Sequence, residues 1–225
     1  MRDIEECRTA ALGGHFQVCD HCFESRFTYH SCRNRHCPKC QGERTQRWLD
    51  AQRERLLPVP YYLVTFTLPA ELRPVAHAQP SVLYAILMRA AAAALFKLTA
   101  DPKFLGATPG MTAVLHTWTR AMLYHPHAHF LVTAGGLSPD GESWLSPKNP
   151  RFLVPGYALS AIFRAKVRDA LEEAGLLGAV PEGLWSSTKK WVVHLKHAGT
   201  GHKVLDYLAR YVFRIAITNS RIERF

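Results

Sequence analysis

HPHAHFLVT, residues 125–133, joins a histidine pair to a run of strand-forming apolar residues. A strand repeats every two residues, so His127 and His129 share one face while Ala128 points into the core. Two imidazoles on one face can grip a divalent metal, with a His-rich strand start that binds none as the alternative. His125 has the same parity, but Pro126 lacks an amide donor and is expected to mark where the strand begins, so His125 is placed outside the site. His116 lies eleven positions before His127, far enough back for an antiparallel return that brings in a third nitrogen.

On either side of this strand the chain alternates between strand and helix signals. Residues 61–68 (YYLVTFTL), 112–119 (TAVLHTWT) and 191–196 (WVVHLK) are β-branched and aromatic runs. Residues 43–57 (ERTQRWLDAQRERLL), 81–100, 157–174 and 202–214 or beyond read as helices, and the stretch carrying Pro139, Pro147, Pro150 and Pro155 reads as a long loop. Strands separated by helices, with two strands joined directly through residues 120–126, predict an α+β fold: one antiparallel sheet with helices packed on a face. The most apolar run, 81–100, holds Arg89 and Lys97 and reads as a core helix, so a soluble, non-membrane chain is expected.

The 225 residues carry 28 Lys+Arg against 18 Asp+Glu, a net charge of +10, which favours a polyanion over an acidic or neutral partner. All six cysteines fall within the first forty residues. The start, Met1-Arg2-Asp3-Ile4-Glu5-Glu6, lacks the basic-then-apolar order of a secretory signal, so a reducing cytosol and thiolate metal ligation are expected rather than disulfides. Cys19-x-x-Cys22 and Cys37-Pro38-Lys39-Cys40 have the spacing of two zinc knuckles that together close one tetrahedral site. Cys7, His15, Cys32 and His36 remain as a second set, which would make an interleaved two-zinc module, with an ordinary buried cysteine and surface histidine as the alternative, whereas His21 and His30 read as loop histidines. Arg26, Arg33, Arg35, Lys39, Arg44, Arg47, Arg53 and Arg55 surround the sulfurs and suggest a phosphate-facing surface. Residues 1–57 are thus expected to form a zinc-binding, DNA-recognising module ending in a connector helix, and residues 58–225 the main domain.

Tyr207 and Tyr211 lie four apart in VLDYLARYVFRIA, one turn from each other on one stripe of a helix. Such a pair is usually core. A phenol with a pKa of about 10 attacks poorly at neutral pH unless a metal polarises the phosphate it attacks.

The N-terminal CxxC followed by SCRNRHCPKCQ (31–41), the segment HPHAHFLVTAGGLS (125–138) and the segment YLARYVFRIAITNSRI (207–222) together resemble the two-tyrosine rolling-circle transposases of insertion sequences, which carry an N-terminal zinc-binding domain. The resemblance implies an HUH-type antiparallel sheet and a single-strand DNA nuclease and strand transferase. His127 and His129 would then hold Mg²⁺ or Mn²⁺, with His116 in a third place by analogy with the relaxase branch, and Tyr207 and Tyr211 would be the nucleophiles of a 5′-phosphotyrosine intermediate. Lys189, Lys190 and Arg210 become candidate phosphate contacts, with plain surface charge as the alternative, and Trp118 and Trp191 candidate base-stacking groups, with burial in the sheet as the alternative. The expected partners are single-stranded DNA and transposon ends in a bacterial-type cytosol. Relatives of this kind continue past the tyrosine helix, whereas this sequence stops at Phe225. A truncated copy or a gene fragment is therefore expected, and the alternative function is a non-catalytic DNA-binding derivative that occupies transposon ends.

Overall fold

The computed structural model describes residues 2–34, 37–119, 121, 123–149 and 151–212. The chain divides into two compact units, one of residues 55–206 and one that groups residues 1–54 with the chain from Tyr207 onward.

Residues 1–54 open with a short helix, α1 (Arg2–Glu5), and a two-stranded hairpin, β1 (Gly14–Val18) and β2 (Ser25–Tyr29), paired from Gly14↔Tyr29 to Val18↔Ser25. Helix α2 (Pro38–Glu54) follows. It starts five residues earlier than the amphipathic pattern predicts and ends three earlier. Pro38 explains the early start, because a proline in the first turn gives up only an amide that the helix leaves unpaired anyway. Cys37 and Cys40 therefore flank a helical first turn, with the Gln41 amide donating to the Cys37 carbonyl at 3.0 Å.

The larger unit is an α+β layer built on a four-stranded antiparallel sheet. Its strands are β3 (Tyr61–Thr67), β4 (Met111–Trp118), β5 (Tyr124–Thr133) and β8 (Val193–His197), in the order β4-β5-β3-β8. Between β5 and β8, a small ribbon of β6 (Gly136–Leu137) and β7 (Trp144–Leu145) interrupts the proline-rich loop. The helices are α3 (Arg73–Ala78), α4 (Pro80–Thr99) and α5 (Gly156–Glu173), and α6 (His202–Val212) runs from this unit into the other. Residues 213 and 214 of the expected last helix lie outside the described residues.

Alternation along the strands divides the sheet into two faces. Tyr62, Val64 and Phe66 of β3 lie opposite Val132, Phe130 and Ala128 of β5, and all six are buried in one apolar core with Leu83, Leu87, Leu95, Leu159, Phe163 and Val167 from α4 and α5. Leu63, Thr65 and Thr67 take the second face, opposite Leu131, His129 and His127. Helix α4 is long and apolar enough to span a membrane by length and composition alone, yet nine of its twenty residues are buried inside the protein. Its apolar positions recur at helical spacing (Leu83, Leu87, Ala90, Ala91, Ala94, Leu98), the pattern of a core helix.

Two strand boundaries differ from expectation for identifiable reasons. β5 begins at Tyr124, not His127, and Pro126 lies within it. The β4–β5 register runs from His116↔His127 to Trp118↔Tyr124, so one residue of β4 opposes two of β5, a bulge at His125 and Pro126. A bulge is where a strand tolerates a missing amide donor. β8 begins at Val193, not Trp191. Trp191 is buried instead, donating its indole N–H to the Leu184 carbonyl at 3.2 Å and stacking on Trp185, so the base-stacking role considered for it gives way to packing. Trp118 is half-buried against Tyr124.

Phe66 is the keystone of the sheet-helix contact, fully buried with ring centroids 5.5 Å from Phe130 and 4.9 Å from Phe163. Phe66→Ala is expected to cost about 3–5 kcal/mol in urea unfolding, whereas Leu57→Ala, at a half-exposed position, should cost less than about 0.5 kcal/mol.

Candidate active site and metal-binding clusters

Three histidines meet on the second face of the sheet. His116 of β4 is the direct cross-strand partner of His127 of β5, and His129 lies two residues along, so register alone gathers them. One ligand atom from each lies within 4.8 Å of the others. The ring centroids are 4.4 Å apart for His116 and His129, 5.0 Å for His127 and His129, and 5.2 Å for His116 and His127.

Neighbouring oxygens orient two of the rings. His127 Nδ1 is 2.7 Å from the His125 carbonyl, which can only accept, so Nδ1 carries the proton and Nε2 keeps its lone pair. His129 Nδ1 is 2.8 Å from Thr65 Oγ1, which permits the same tautomer. This is how protein sites usually prepare imidazoles for a cation. Burial pushes His116 down to about 3, aided by repulsion from His129 and His127. Burial and His127 push His129 down to about 4, and burial lowers His127 as well. All three rings are therefore neutral at pH 7, the form that binds metal.

Tyr207 and Tyr211 both lie on α6 with ring centroids 5.2 Å apart. Tyr207 is exposed and Tyr211 half-buried, so the pair is not core. Helix α6 begins after Gly201, whose φ of +82° suits glycine, and whose absent Cβ would come 3.2 Å from the Tyr61 ring and 3.4 Å from Leu131 on the second face of the sheet.

The cysteines group differently from the sequence expectation. Cys7, Cys32, Cys37 and Cys40 come together, with all four sulfurs within 4.8 Å of one another. The Cys7–Cys40 and Cys32–Cys40 separations are 3.4 and 3.7 Å, close to the edge of about 3.8 Å of a tetrahedron with arms of about 2.3 Å. Cys19 and Cys22 do not join Cys37 and Cys40, because they sit in the turn of the β1–β2 hairpin. Five paired residues separate that turn from the end of the hairpin next to Cys32, about 17 Å of strand. Amides point at the clustered sulfurs: Cys32 N–H donates to Cys7 Sγ and Asn34 N–H to Cys32 Sγ, both at 3.4 Å. Arg33, at φ +52°, turns the chain there. Burial raises Cys7, and raises Cys32 to about 12. At Cys40 burial is outweighed by hydrogen bonds from Cys7, Cys32 and Cys37, which bring it down to about 7. A cation replacing these protons fits the donor set.

Of the second expected set, Cys7 and Cys32 belong to this cluster, His15 is exposed with its ring 4.5 Å from that of His30, and His36 lies outside the described residues. Cys19 and Cys22 form an exposed knuckle in which the Cys22 and His21 amides lower the Cys19 thiol.

The basic residues also sort by environment. Lys39 Nζ donates to the Cys7 carbonyl at 2.7 Å, bracing the cluster. Lys189 is paired with Glu71. Arg33, Arg44, Lys190 and Arg210 are exposed, and Arg35 lies outside the described residues. Sequence reading missed two residues beside the histidines, Thr65 and Arg73. Thr65 could have been found once β3 was paired with β5, but Arg73 depends on the path of the chain after β3.

Residues 110–225 match the family described as "Putative transposase", and residues 1–68 the family described as "Transposase zinc-binding domain". The chain is 42% identical over 239 residues to "Putative transposase y4qJ" of Sinorhizobium fredii (strain NBRC 101917 / NGR234), covering 99% of this chain and 60% of that protein. It is 31% identical over 256 residues to the transposase for insertion sequence element IS801 of Pseudomonas savastanoi pv. phaseolicola, covering 100% and 59%. The chain thus spans about three fifths of the length of these curated relatives. Among solved structures, TrwC complexed with a 27-mer DNA comprising the recognition hairpin and the cleavage site aligns with a TM-score of 0.41 at 19% identity, over 50% of this chain and 44% of that one. The metal-bound structure of the conjugative relaxase TrwC with oriT DNA aligns at 0.39 and 19%, over 49% and 42%.

Cys7→Ser, Cys32→Ser and Cys40→Ser are each expected to remove one zinc per chain by elemental analysis, and Cys19→Ser to leave that ion in place. Loss of the same ion from Cys19→Ser would contradict the grouping. The buried histidines also set a pH dependence. Their folded pKa values lie below the unfolded value of about 6.5, so the unfolded chain binds more protons below that pH. Without added divalent metal, stability should hold above pH 6.5 and fall toward pH 4, by up to about 1.4 kcal/mol per pH unit for each histidine. Urea unfolding followed by tryptophan fluorescence at pH 7.5 and 5.0 measures this, and His116→Gln should flatten the slope.

Proposed function

Because the chain belongs to the transposase family matched over residues 110–225, we propose that it cleaves single-stranded DNA and transfers the cut strand through a 5′-phosphotyrosine, in a metal-dependent reaction of rolling-circle transposition. The observation that carries the reading is the convergence of His116, His127 and His129 on one point of the sheet, in a chain whose helix α6 presents two tyrosines one turn apart.

His116, His127 and His129 would hold a divalent cation, which when bound polarises the scissile phosphate and offsets the charge that develops on it. Mg²⁺ and Mn²⁺ both prefer oxygen donors, but Mg²⁺ gives up its water reluctantly and demands near-ideal geometry, so of the two Mn²⁺ accepts imidazole nitrogen more readily. The phenol of Tyr207 or Tyr211 loses its proton and its Oη attacks phosphorus. The Oη–P bond forms, the P–O3′ bond breaks, and the leaving 3′ oxygen takes up a proton. The phosphodiester energy is kept in the tyrosine ester, so a 3′-OH attacking the same phosphorus can rejoin strands and return the phenol. A second tyrosine one helical turn away can take a second transfer.

In this reading residues 1–57 recognise the element end, with zinc held by Cys7, Cys32, Cys37 and Cys40, and residues 58–225 carry the chemistry. Arg33, Arg44, Lys190 and Arg210 are exposed and would meet phosphates. Lys39 and Lys189 would do so only after giving up the Cys7 carbonyl and Glu71. The setting is the bacterial cytosol, with transposon ends as partners.

The test is a denaturing gel of zinc-loaded protein with a labelled single-stranded element end, in Mn²⁺ or EDTA. A slow, labelled protein band is expected in Mn²⁺ only, unchanged or reduced in Tyr207→Phe or Tyr211→Phe, and absent from the double variant and from His127→Ala. Binding without a band under any metal would support the non-catalytic DNA-binding derivative instead.

A further inference from the structure

We propose that Arg73 is a phosphate anchor of the candidate active site, its guanidinium gripping a backbone phosphate of the DNA strand beside the three histidines. The proposal rests on the nuclease reading above and adds a substrate contact to it.

The position of Arg73 follows from how the chain leaves β3. The last β3 pairing is Thr67↔His127, and the next amide, of Leu68, donates to the Pro126 carbonyl at 3.3 Å. A single 3-10 turn (Ala70–Leu72) then reverses the chain, and Arg73 opens α3 directly afterwards. Its Nη2 lies 3.3 Å from His125 Nδ1, and the His125 ring centroid lies 5.5 Å from that of His127. The bulge at His125 and Pro126 is therefore the hinge between the guanidinium and the candidate metal ligands.

Arg73 is charged and acts on the Glu71 carboxylate only at a distance, lowering its pKa after the Lys189 contact does. Among the described residues it has no carboxylate ion pair, and Glu71, two residues away, is paired with Lys189. Its Nε is buried with no hydrogen-bond partner. A buried donor left unmade costs about 1–3 kcal/mol, more when charged, so such a group is expected where a ligand completes it. A guanidinium only donates, so His125 Nδ1 accepts from it and His125 keeps its proton on Nε2. The arrangement steers the flat face of the fork without using up its donors. Carboxylate and phosphate oxygens both match that fork in pairs, and a DNA strand reaching the histidines brings a phosphate every nucleotide.

Arg73→Gln, with Arg73→Lys as a second variant that keeps the charge, separates this role from a structural one. Binding of fluorescein-labelled oligo(dT) is followed by anisotropy across a salt series, alongside Mn²⁺ affinity and the thermal midpoint. Arg73→Gln is expected to weaken oligo(dT) binding by about tenfold and to reduce the salt slope by about 0.7, the loss of one phosphate contact on a single strand. Mn²⁺ affinity should stay at the wild-type value, and the thermal midpoint should not fall, since the unpartnered Nε is removed with the guanidinium. Arg73→Lys is expected to keep the slope with part of the affinity. Adduct formation with the element end should slow by about 100-fold in Arg73→Gln.

An unchanged slope and affinity in both variants would overturn the proposal, and so would a loss matched by equal losses of Mn²⁺ affinity and thermal midpoint in both, which marks a brace for His125. Failure of the nuclease reading looks different: no adduct in wild type, with the Arg73-dependent slope still present.

Discussion

The candidate site depends on the register between β4, β5 and β3. Pairing His116 with His127 sets one imidazole across from another, and period two brings His129 onto the same face. Slipping β4 by one residue would send His116 to the helix-packed face and bring Leu115 or Thr117 opposite His127. The register is held from the opposite face, where Val64 and Phe66 of β3 and Ala128 and Phe130 of β5 are buried and Ala113 and Leu115 of β4 pack against the same core. Packing on one side of the sheet thus fixes donor geometry on the other, and it does so with ordinary apolar residues.

The same logic explains why the histidines tolerate burial. Three neutral imidazoles close together are costly only when protonated, and burial holds all three below their ordinary pKa. The His125 carbonyl and Thr65 hydroxyl fix ring orientation at little cost, since one is backbone and the other lies on the adjacent strand. The bulge at His125 and Pro126 serves two purposes: it absorbs the missing amide of Pro126 and presents His125 to Arg73.

Much of this was legible in the sequence. The His-x-His parity, the return of His116 and the one-turn spacing of the tyrosines are consequences of strand and helix periods, and the structure gathers the three histidines and pairs the two phenol rings. The cysteine partition was not legible, because a C-x-x-C spacing states that two sulfurs can share an ion but not which distant sulfurs complete it. That depended on the β1–β2 hairpin, whose length carries Cys19 and Cys22 away from Cys37, and on Pro38, which starts α2 between Cys37 and Cys40. Arg73 was hidden for a related reason. Nothing in its local sequence marks it, and only the turn after β3 sets it beside His125.

In the proposed function the three imidazoles act together as one metal site. Electron spin-echo spectroscopy of Mn²⁺ added to the zinc-loaded protein tests it most directly, because it detects nitrogen bound to the ion. Histidine nitrogen modulation is expected, weakening when any one of His116, His127 or His129 is replaced by alanine. A spectrum of fully hydrated Mn²⁺ with no nitrogen modulation in the wild-type protein would contradict it.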